Sequence, residues 1–216
     1  MIQRIGLFGG TFDPIHNGHL RLADMAEMEC GLQKIIFLPA AFPPHKSPTR
    51  LTSFQHRAEM LRLALEGRTG YEYSFIEAEL PPPSYTIDTL RVLKAAWGKD
   101  ANLFFLIGID AFLEIRTWKR YDELLRTVSF VVSEREGDFI DRKHNLAQKL
   151  NYKQEDHLWQ SRDGKQEVCF LRQPPLSISS SAIREAVRTG VAIWDLVPAT
   201  VHQYIVHHGL YCTAIE

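Results

Sequence analysis

Cysteine is scarce in this chain, with three among its 216 residues. Cys30, Cys169 and Cys212 are odd in number, far apart and in no metal-ligand spacing. Their pattern argues against a cysteine-built metal site and favours a reducing, cytoplasmic location. The sequence opens without a charged leader, a long apolar run or a small-residue cleavage site, so we expect no export signal.

Long apolar runs and a strong net charge are also missing. The longest apolar stretch, residues 103–109, is far shorter than a membrane span, so we expect no membrane partner. The formal net charge of −1 gives no basic field, which argues against nucleic acid as a partner. An anionic substrate would have to be held by local cations and amides. Composition and length favour one globular domain over residues 1–216.

A glycine pair and two spaced histidines are the most informative feature near the start of the chain. Gly9 and Gly10 follow an apolar run, and without Cβ atoms they can adopt positive φ and let a ligand approach the backbone. A helix capped by Asn17 would add unpaired amides and the positive end of its dipole. His16 would lie just before the first turn and His19 within it. The pattern predicts a phosphate-binding turn.

Apolar periodicity predicts alternating strands and helices along most of the chain. We expect strands at residues 2–8, 34–38, 73–76, 103–107, 128–133 and 167–171, helices beginning near residues 17, 52, 85 and 179, and a last helix over residues 201–208. This alternation predicts an α/β fold, a doubly wound, Rossmann-like three-layer parallel sheet with helices on both faces. Ligands of such sheets bind beyond the carboxyl ends of the strands, where the polar clusters of this sequence fall.

Two segments depart from that regular alternation. Residues 136–166 are polar, and we expect them to form an irregular excursion with a short helix around residues 146–150. From about residue 179 the chain is expected to be a C-terminal helical part, because apolar residues recur there at helical spacing.

HisAsnGlyHis at residues 16–19 resembles the HxGH signature of the nucleotidyltransferase superfamily. The fuller segment GlyGlyThrPheAspProIleHisAsnGlyHis, residues 9–19, resembles its nicotinate mononucleotide adenylyltransferase branch. That resemblance implies adenylyl transfer from ATP to nicotinate mononucleotide, which yields nicotinate adenine dinucleotide and pyrophosphate in NAD biosynthesis.

Later segments extend the resemblance in order along the chain. ProProHisLys, ending at Lys46, is similar to a family segment whose lysine contacts the triphosphate. The segment from Ile178 to Arg184 resembles the family's IleSerSerThrxxxArg, with Ser181 replacing the threonine. Its serines predict a helix start, and Arg184, one turn into that helix, could reach a phosphate resting there.

Three further positions match residues that contact the substrates in the family. A threonine matching Thr86 and a tryptophan matching Trp118 contact the pyridine mononucleotide, and an aspartate matching Asp110 binds the ATP ribose. A carboxylate suits ribose hydroxyls, and an indole can stack on a pyridine ring. Lys119 stands where relatives often have an aromatic residue, and it could attract a carboxylate.

The resemblance therefore implies three overlapping sets of site residues. The catalytic set is His16, His19, Lys46 and Arg184. The ATP-binding set is Gly9, Gly10, Thr11, Phe12, His16, His19, Lys46, Asp110, Ile178, Ser180, Ser181 and Arg184. The pyridine mononucleotide set is Thr11, Phe12, Lys46, Thr86 and Trp118. We expect Mg²⁺ to arrive with ATP, because the sequence contains no dedicated metal cage.

Three alternatives remain open at this point. A sister adenylyltransferase would use nicotinamide mononucleotide or phosphopantetheine, although the latter enzymes generally have threonine at the position of His16. A class I aminoacyl-tRNA synthetase fragment would need an anticodon-binding domain and a lysine-rich second signature. A nucleotide-sensing module would bind ATP without turnover. The sequence leaves the oligomeric state open.

Overall fold

The computed structural model describes residues 3–44, 51–98, 101–134, 139–173 and 176–212. The strands in these ranges are β1 (Gln3–Gly10), β2 (Lys34–Pro39), β3 (Tyr71–Tyr73), β4 (Ala101–Gly108), β5 (Ser129–Ser133), β6 (Tyr152–Glu155), β7 (Leu158–Ser161) and β8 (Glu167–Phe170). The helices are α1 (Asn17–Cys30), α2 (Phe54–Leu65), α3 (Thr86–Trp97), α4 (Ile109–Leu113), α5 (Tyr121–Thr127), α6 (Ile140–Leu150), α7 (Ser180–Arg188) and α8 (Ala199–His207). Short 3₁₀ turns lie at Ile76–Ala78 and Ile115–Thr117.

One eight-stranded sheet runs through the molecule in the order β3-β2-β1-β4-β5-β8-β7-β6. The strands from β3 to β8 in this order pair in parallel, with β1 between β2 and β4. The carboxyl ends of these strands therefore lie at one edge of the sheet, which is where the functional side chains of such a fold gather.

Helices cover both faces of the sheet because its strands are apolar on both sides. Successive residues of a strand point to opposite faces. Accordingly, Phe8 belongs to a core formed with α1, α2, α7 and α8, whereas its neighbour Leu7 belongs to a core formed with α3, α4, α5 and α6. The three-layer, doubly wound α/β prediction is confirmed.

The polar segment at residues 136–166 differs from its prediction. Within its described part, α6 is followed by β6 and β7, which pair antiparallel and extend the sheet beyond β8. Trp159 is 2% exposed and packs against Phe170 with ring centroids 4.7 Å apart. The sheet is therefore mixed, because this hairpin adds two antiparallel strands to the parallel set.

One other difference concerns the bounds of a strand. β3 begins and ends earlier than the predicted strand at residues 73–76, because a 3₁₀ turn begins at Ile76.

In the described part of the chain, no helix has the length and apolar character needed to cross a bilayer.

Candidate active site

His16 and His19 form a reciprocal pair at the start of α1. His16 is the N-cap, and its Nδ1 accepts a hydrogen bond from the His19 amide, while Nδ1 of His19 accepts one from the His16 amide, both at 3.3 Å. Their rings stack with centroids 3.6 Å apart and planes 26° apart. The predicted cap, Asn17, is instead the first helical residue, and its side chain donates to the carbonyl of Asp195. That prediction is wrong by one position.

The hydrogen bonds of the pair also determine where the ring protons lie. An Nδ1 that accepts carries no proton, so each neutral ring carries its proton on Nε2. His16 is 5% exposed, and burial lowers its pKa from 6.5 to about 4. At neutral pH His16 is therefore an uncharged N–H donor that is already oriented.

The glycine pair has a different role from the predicted positive-φ turn. Gly9 and Gly10 complete β1, and the positive φ, 49°, occurs at Phe12. A Cβ on Gly10 would lie 2.8 Å from the Phe12 ring, and a Cβ on Gly9 would lie 3.1 Å from the Phe105 ring. The prediction of positive φ at the glycines is wrong, because they are needed for close packing beneath the loop.

Phe12 supports the histidine pair from inside the protein. Phe12 is 1% exposed, and its ring meets the ring of His19 edge to face, with centroids 5.0 Å apart. The ring of Phe12 is therefore enclosed by protein. The resemblance places Phe12 in both ligand sets without separating its backbone from its side chain.

Gly18 makes room for the His16 ring. This glycine was not in the residue sets predicted from the sequence. A Cβ on Gly18 would lie 3.0 Å from Nδ1 of His16 and 3.4 Å from Cβ of Ile178. The glycine between the two histidines thus permits both the ring position and the approach of the segment that leads into α7. Its place within the HisAsnGlyHis motif was the signal that could have identified it.

The start of α7 packs against the loop that carries the histidines. Ser179 is the N-cap and accepts from the amide of Ala182. Ser180 Oγ donates to the carbonyl of Pro14 at 3.0 Å. Arg184 donates to the carbonyl of Asp13 at 2.7 Å and to the hydroxyl of Ser181 at 3.3 Å. The predicted serine and arginine positions are thereby brought beside the histidine motif.

Arg57 and Asp13, which sequence reasoning missed, hold this loop from the other side. Arg57 is 1% exposed and donates to the carbonyls of Thr11 at 2.8 Å and Ala40 at 2.9 Å. Asp13, also 1% exposed, accepts from the Tyr211 hydroxyl at 2.8 Å. Burial lowers the pKa of Arg57, although nearby Asp13 opposes that shift. A charged residue on the apolar face of α2 was the available signal for Arg57.

A cavity of about 470 Å³ opens at the carboxyl ends of β1, β2 and β4. Gly9, Gly10 and Thr11 line it on one side, and Thr86 and Trp118 also contribute to its lining. Trp118 meets Phe105 edge to face, with ring centroids 6.1 Å apart. Three of the residues predicted for the pyridine mononucleotide, Thr11, Thr86 and Trp118, thus share one cavity with the glycine pair.

Among the described residues that line this cavity, one cation and one carboxylate are present. The cation is Lys119, whose Nζ lies 2.9 Å from Oδ2 of Asp88 and 4.1 Å from the centroid of the Tyr85 ring. The carboxylate is Glu77, which is 7% exposed. Burial raises the pKa of Glu77, while a hydrogen bond from Thr89 opposes the shift.

Three further predicted residues, Asp110, Ile178 and Lys46, are not among the described residues that line this cavity. Asp110 is exposed in the first turn of α4, directly after β4, and is not part of the described cavity lining. Ile178 is half-buried beside Gly18. Lys46 lies outside the described residues, although Pro43 and Pro44 of the same loop line the cavity.

The described donor groups around the histidine pair suit phosphate oxygens better than a metal ion. No group of three histidine, cysteine or carboxylate side chains that could hold a metal occurs within the described ranges. His16 already uses Nδ1 as an acceptor, and Arg184 has no acceptor at all.

Comparisons with known proteins assign the chain to a family. Residues 7–186 match the family described as Cytidylyltransferase-like. A probable nicotinate-nucleotide adenylyltransferase of Desulfotalea psychrophila is 40% identical, over 97% of this chain and 100% of its own length. The chain belongs to the nicotinate-nucleotide adenylyltransferase family. The resemblance based on the HxGH segment is therefore confirmed.

A second relative agrees in length, and a solved structure agrees in fold. The nicotinate-nucleotide adenylyltransferase of Bacillus subtilis is 34% identical, over 97% of this chain and 99% of its own length. The Plasmodium falciparum nicotinic acid mononucleotide adenylyltransferase complexed with NaAD superposes with a TM-score of 0.74. At 21% identity over 99% of this chain and 100% of the other, that similarity shows a common fold.

Proposed function

We propose that this chain transfers the adenylyl group of ATP to nicotinate mononucleotide, giving nicotinate adenine dinucleotide and pyrophosphate. One arrangement carries the proposal. The stacked pair of His16 and His19, tied through its loop to Arg184, directly follows the glycine pair that lines the cavity with Thr86 and Trp118. Donors for a triphosphate and walls for a flat acceptor thus meet along one loop.

The reaction joins two phosphates and needs no covalent enzyme intermediate. An oxygen of the mononucleotide phosphate forms a bond to the α-phosphorus of ATP, and the bond from that phosphorus to the β-phosphate bridging oxygen breaks. Negative charge then grows on the departing pyrophosphate. Phosphoryl-type transfers depend mainly on positioning and on stabilisation of this charge, so oriented donors matter more than a nucleophile.

The histidines and Arg184 supply these donors in our proposal. Both Nδ1 atoms accept from main-chain amides. In our proposal the Nε2–H groups of His16 and His19 donate to phosphate oxygens of the bound substrate. The pKa of about 4 keeps His16 neutral, so it donates a hydrogen bond without gaining a proton. Two N–H groups of Arg184 donate to Asp13 and Ser181, and its guanidinium has further N–H groups that can donate to an anion. Lys46 is proposed to complete the set.

Acceptor binding is proposed for the cavity. Trp118 would stack on the pyridine ring, and Thr86 would donate to the ligand from the first turn of α3, where the helix dipole favours an anion. Lys119 adds positive charge beside Trp118, which favours the carboxylate of nicotinate over the neutral carboxamide of nicotinamide. Asp110 is proposed to accept from the ATP ribose.

Divalent metal enters this scheme with ATP. We propose that Mg²⁺, bound to the phosphates and otherwise to water, neutralises part of their charge, which is how this ion is usually held in nucleotide sites. The cytoplasmic location remains a prediction from the sequence.

One assay separates this proposal from its alternatives. Purified protein is given MgATP with nicotinate mononucleotide, nicotinamide mononucleotide or phosphopantetheine in separate reactions, and pyrophosphate release is followed over time. We expect the nicotinate substrate to give the highest kcat/KM. Release only with phosphopantetheine would replace the acceptor, and ATP binding without release from any acceptor would indicate a nucleotide sensor.

A further inference from the structure

Glu77 is a buried carboxylate whose two oxygens have different surroundings. It lies in the 3₁₀ turn between β3 and α3 and is 7% exposed. Its Oε1 accepts from the hydroxyl of Thr89 at 3.1 Å. Its Oε2 is buried and has no hydrogen-bond partner among the described residues. The same residue lines the cavity proposed for the mononucleotide.

An unsatisfied carboxylate oxygen in this position is costly to the folded protein. Burial without a partner penalises the charged form and raises the pKa of Glu77. Hydrogen bonding from Thr89, Ser84 and the main chain of Ala41 opposes that effect, and the positive charge of Arg57 opposes it less, but among the described residues no donor meets Oε2 in hydrogen-bond geometry. A buried acceptor left open beside a cavity calls for a donor that arrives with the ligand.

The chemistry of the mononucleotide limits which donor that can be. At neutral pH its nicotinate carboxyl and its phosphate are ionised, so both are acceptors, and its pyridine nitrogen carries the ribose and no proton. The O–H groups of the molecule are therefore the 2′- and 3′-hydroxyls of the ribose. Carboxylates accept well from such hydroxyls.

We infer that Oε2 of Glu77 accepts a hydrogen bond from a ribose hydroxyl of the bound pyridine mononucleotide. This inference rests on the proposed function and adds a binding residue to it. It also accounts for the opposite charges of Glu77 and Lys119, the two charged side chains among the described residues that line the cavity. Lys119 attracts the nicotinate carboxylate, whereas Glu77 accepts from the ribose. The positive charge of the pyridinium ring also favours an anionic side chain near the ribose.

The assignment differs from the one proposed for ATP. Asp110 is exposed at the start of α4, after β4 in the chain, whereas Glu77 precedes β4. The proposed contact of Asp110 is the adenosine ribose. Glu77 is enclosed beside Thr89 of α3. The two carboxylates would thus hold the two different sugars of the product.

The test uses wild-type enzyme and two substrate analogues, 2′-deoxy and 3′-deoxy nicotinate mononucleotide. We expect kcat/KM to fall roughly 10- to 100-fold with at least one of them, as for loss of a hydrogen bond to a charged group. In Glu77→Gln, which preserves the side-chain shape, kcat/KM for the natural substrate should fall. The ratio of kcat/KM between the natural substrate and that analogue, which is the penalty for the missing hydroxyl, should then shrink to within about threefold.

A nearby control isolates the effect of Glu77. Glu79, in the turn that follows, is exposed and is not part of the described cavity lining, so Glu79→Gln should keep the full penalty. Thermal melting checks that each variant is folded, and the wild-type comparison stands even if Glu77→Gln is not. Equal use of all three substrates by wild type, or an unchanged penalty in folded Glu77→Gln, overturns the inference. Failure of the proposed function is distinct, because wild type would then release no pyrophosphate with nicotinate mononucleotide itself.

Discussion

Arg184 donates a hydrogen bond of 2.7 Å to the main-chain carbonyl of Asp13, which lies 171 positions earlier in the chain. This bond holds the start of α7 against the loop that begins the histidine motif. A cation from the C-terminal part of the chain is thereby fixed beside donors from its first twenty residues.

Arg184→Lys tests whether this cation needs its planar fork. Lysine keeps the charge but cannot hold the Asp13 carbonyl, the Ser181 hydroxyl and a phosphate in one fixed geometry. We expect kcat/KM to fall about 10- to 100-fold in the pyrophosphate assay, with little change in melting temperature. Arg188→Lys is the matched control, because Arg188 pairs with Glu185 on the same helix. Activity within twofold of wild type would remove Arg184 from the phosphate site.

His19→Ala removes one donor of the stacked pair. Loss of a single preorganised donor typically costs about 100- to 1000-fold in rate, and we expect a decrease in kcat of that order. Circular dichroism should show an intact fold, since His19 is half-buried and its ring only meets the edge of the buried Phe12 ring. Turnover within a few-fold of wild type would show that the ring has no catalytic role.

Gly18→Ala separates ring position from helix stability. The added Cβ would lie 3.0 Å from Nδ1 of His16, so the ring must shift, and small displacements of this kind are costly in rate. Alanine also favours a helix by about 1 kcal/mol over glycine. We expect kcat to fall roughly tenfold while the melting temperature does not fall. A loss of both together would instead indicate general disruption.

His16→Asn tests the lowered pKa of His16. Folding lowers that pKa from 6.5 to about 4, so the native state binds fewer protons and the stabilisation present above pH 6.5 is lost as the pH falls toward 4. The loss amounts to about 3 kcal/mol. Asparagine can still cap α1 but does not titrate. Urea denaturation at pH 7 and pH 4 should show a smaller decrease in unfolding free energy for the variant, by about that amount. Equal decreases would contradict the assigned titration.

Lys119→Met tests the source of the acceptor preference. Removal of the charge should lower kcat/KM for nicotinate mononucleotide and leave that for nicotinamide mononucleotide unchanged. Because Lys119 is exposed and already paired with Asp88, we expect the ratio to change only about two- to fivefold. Lys119→Arg keeps the charge and should keep the ratio. A ratio unaffected by Lys119→Met would assign the preference to other groups.

The histidine pair could be predicted from the sequence because its geometry is local. Capping and helix periodicity place His16 and His19 within one turn, whatever the rest of the chain does. Their meeting with Arg184 followed from the family resemblance together with the rule that ligands gather at the carboxyl ends of parallel strands.

Arg57 and Glu77 could not be found in this way, because their importance comes from burial. A charged residue in a sequence is exposed by default, and the packed fold shows that these two are enclosed. For Arg57 the position on the apolar face of α2 was a signal, but it does not tell which groups the side chain binds. Gly9 and Gly10 were misread because close packing and positive φ both require glycine. The strands β6 and β7 were missed because their exposed positions are polar and Trp159 is the one fully buried residue they contribute.

The cavity and the donor cluster come from different parts of the fold. Thr86, Trp118 and Lys119 reach the cavity from α3 and the turn after α4, whereas the stacked histidines and Arg184 come from α1 and α7. The glycine pair lines the cavity and lies a few residues before the histidine pair in the chain. Substitutions in the first group can therefore alter which molecule receives the nucleotide while the machinery that cleaves ATP is preserved, and a fold divided in this manner lends itself to new acceptors through evolution.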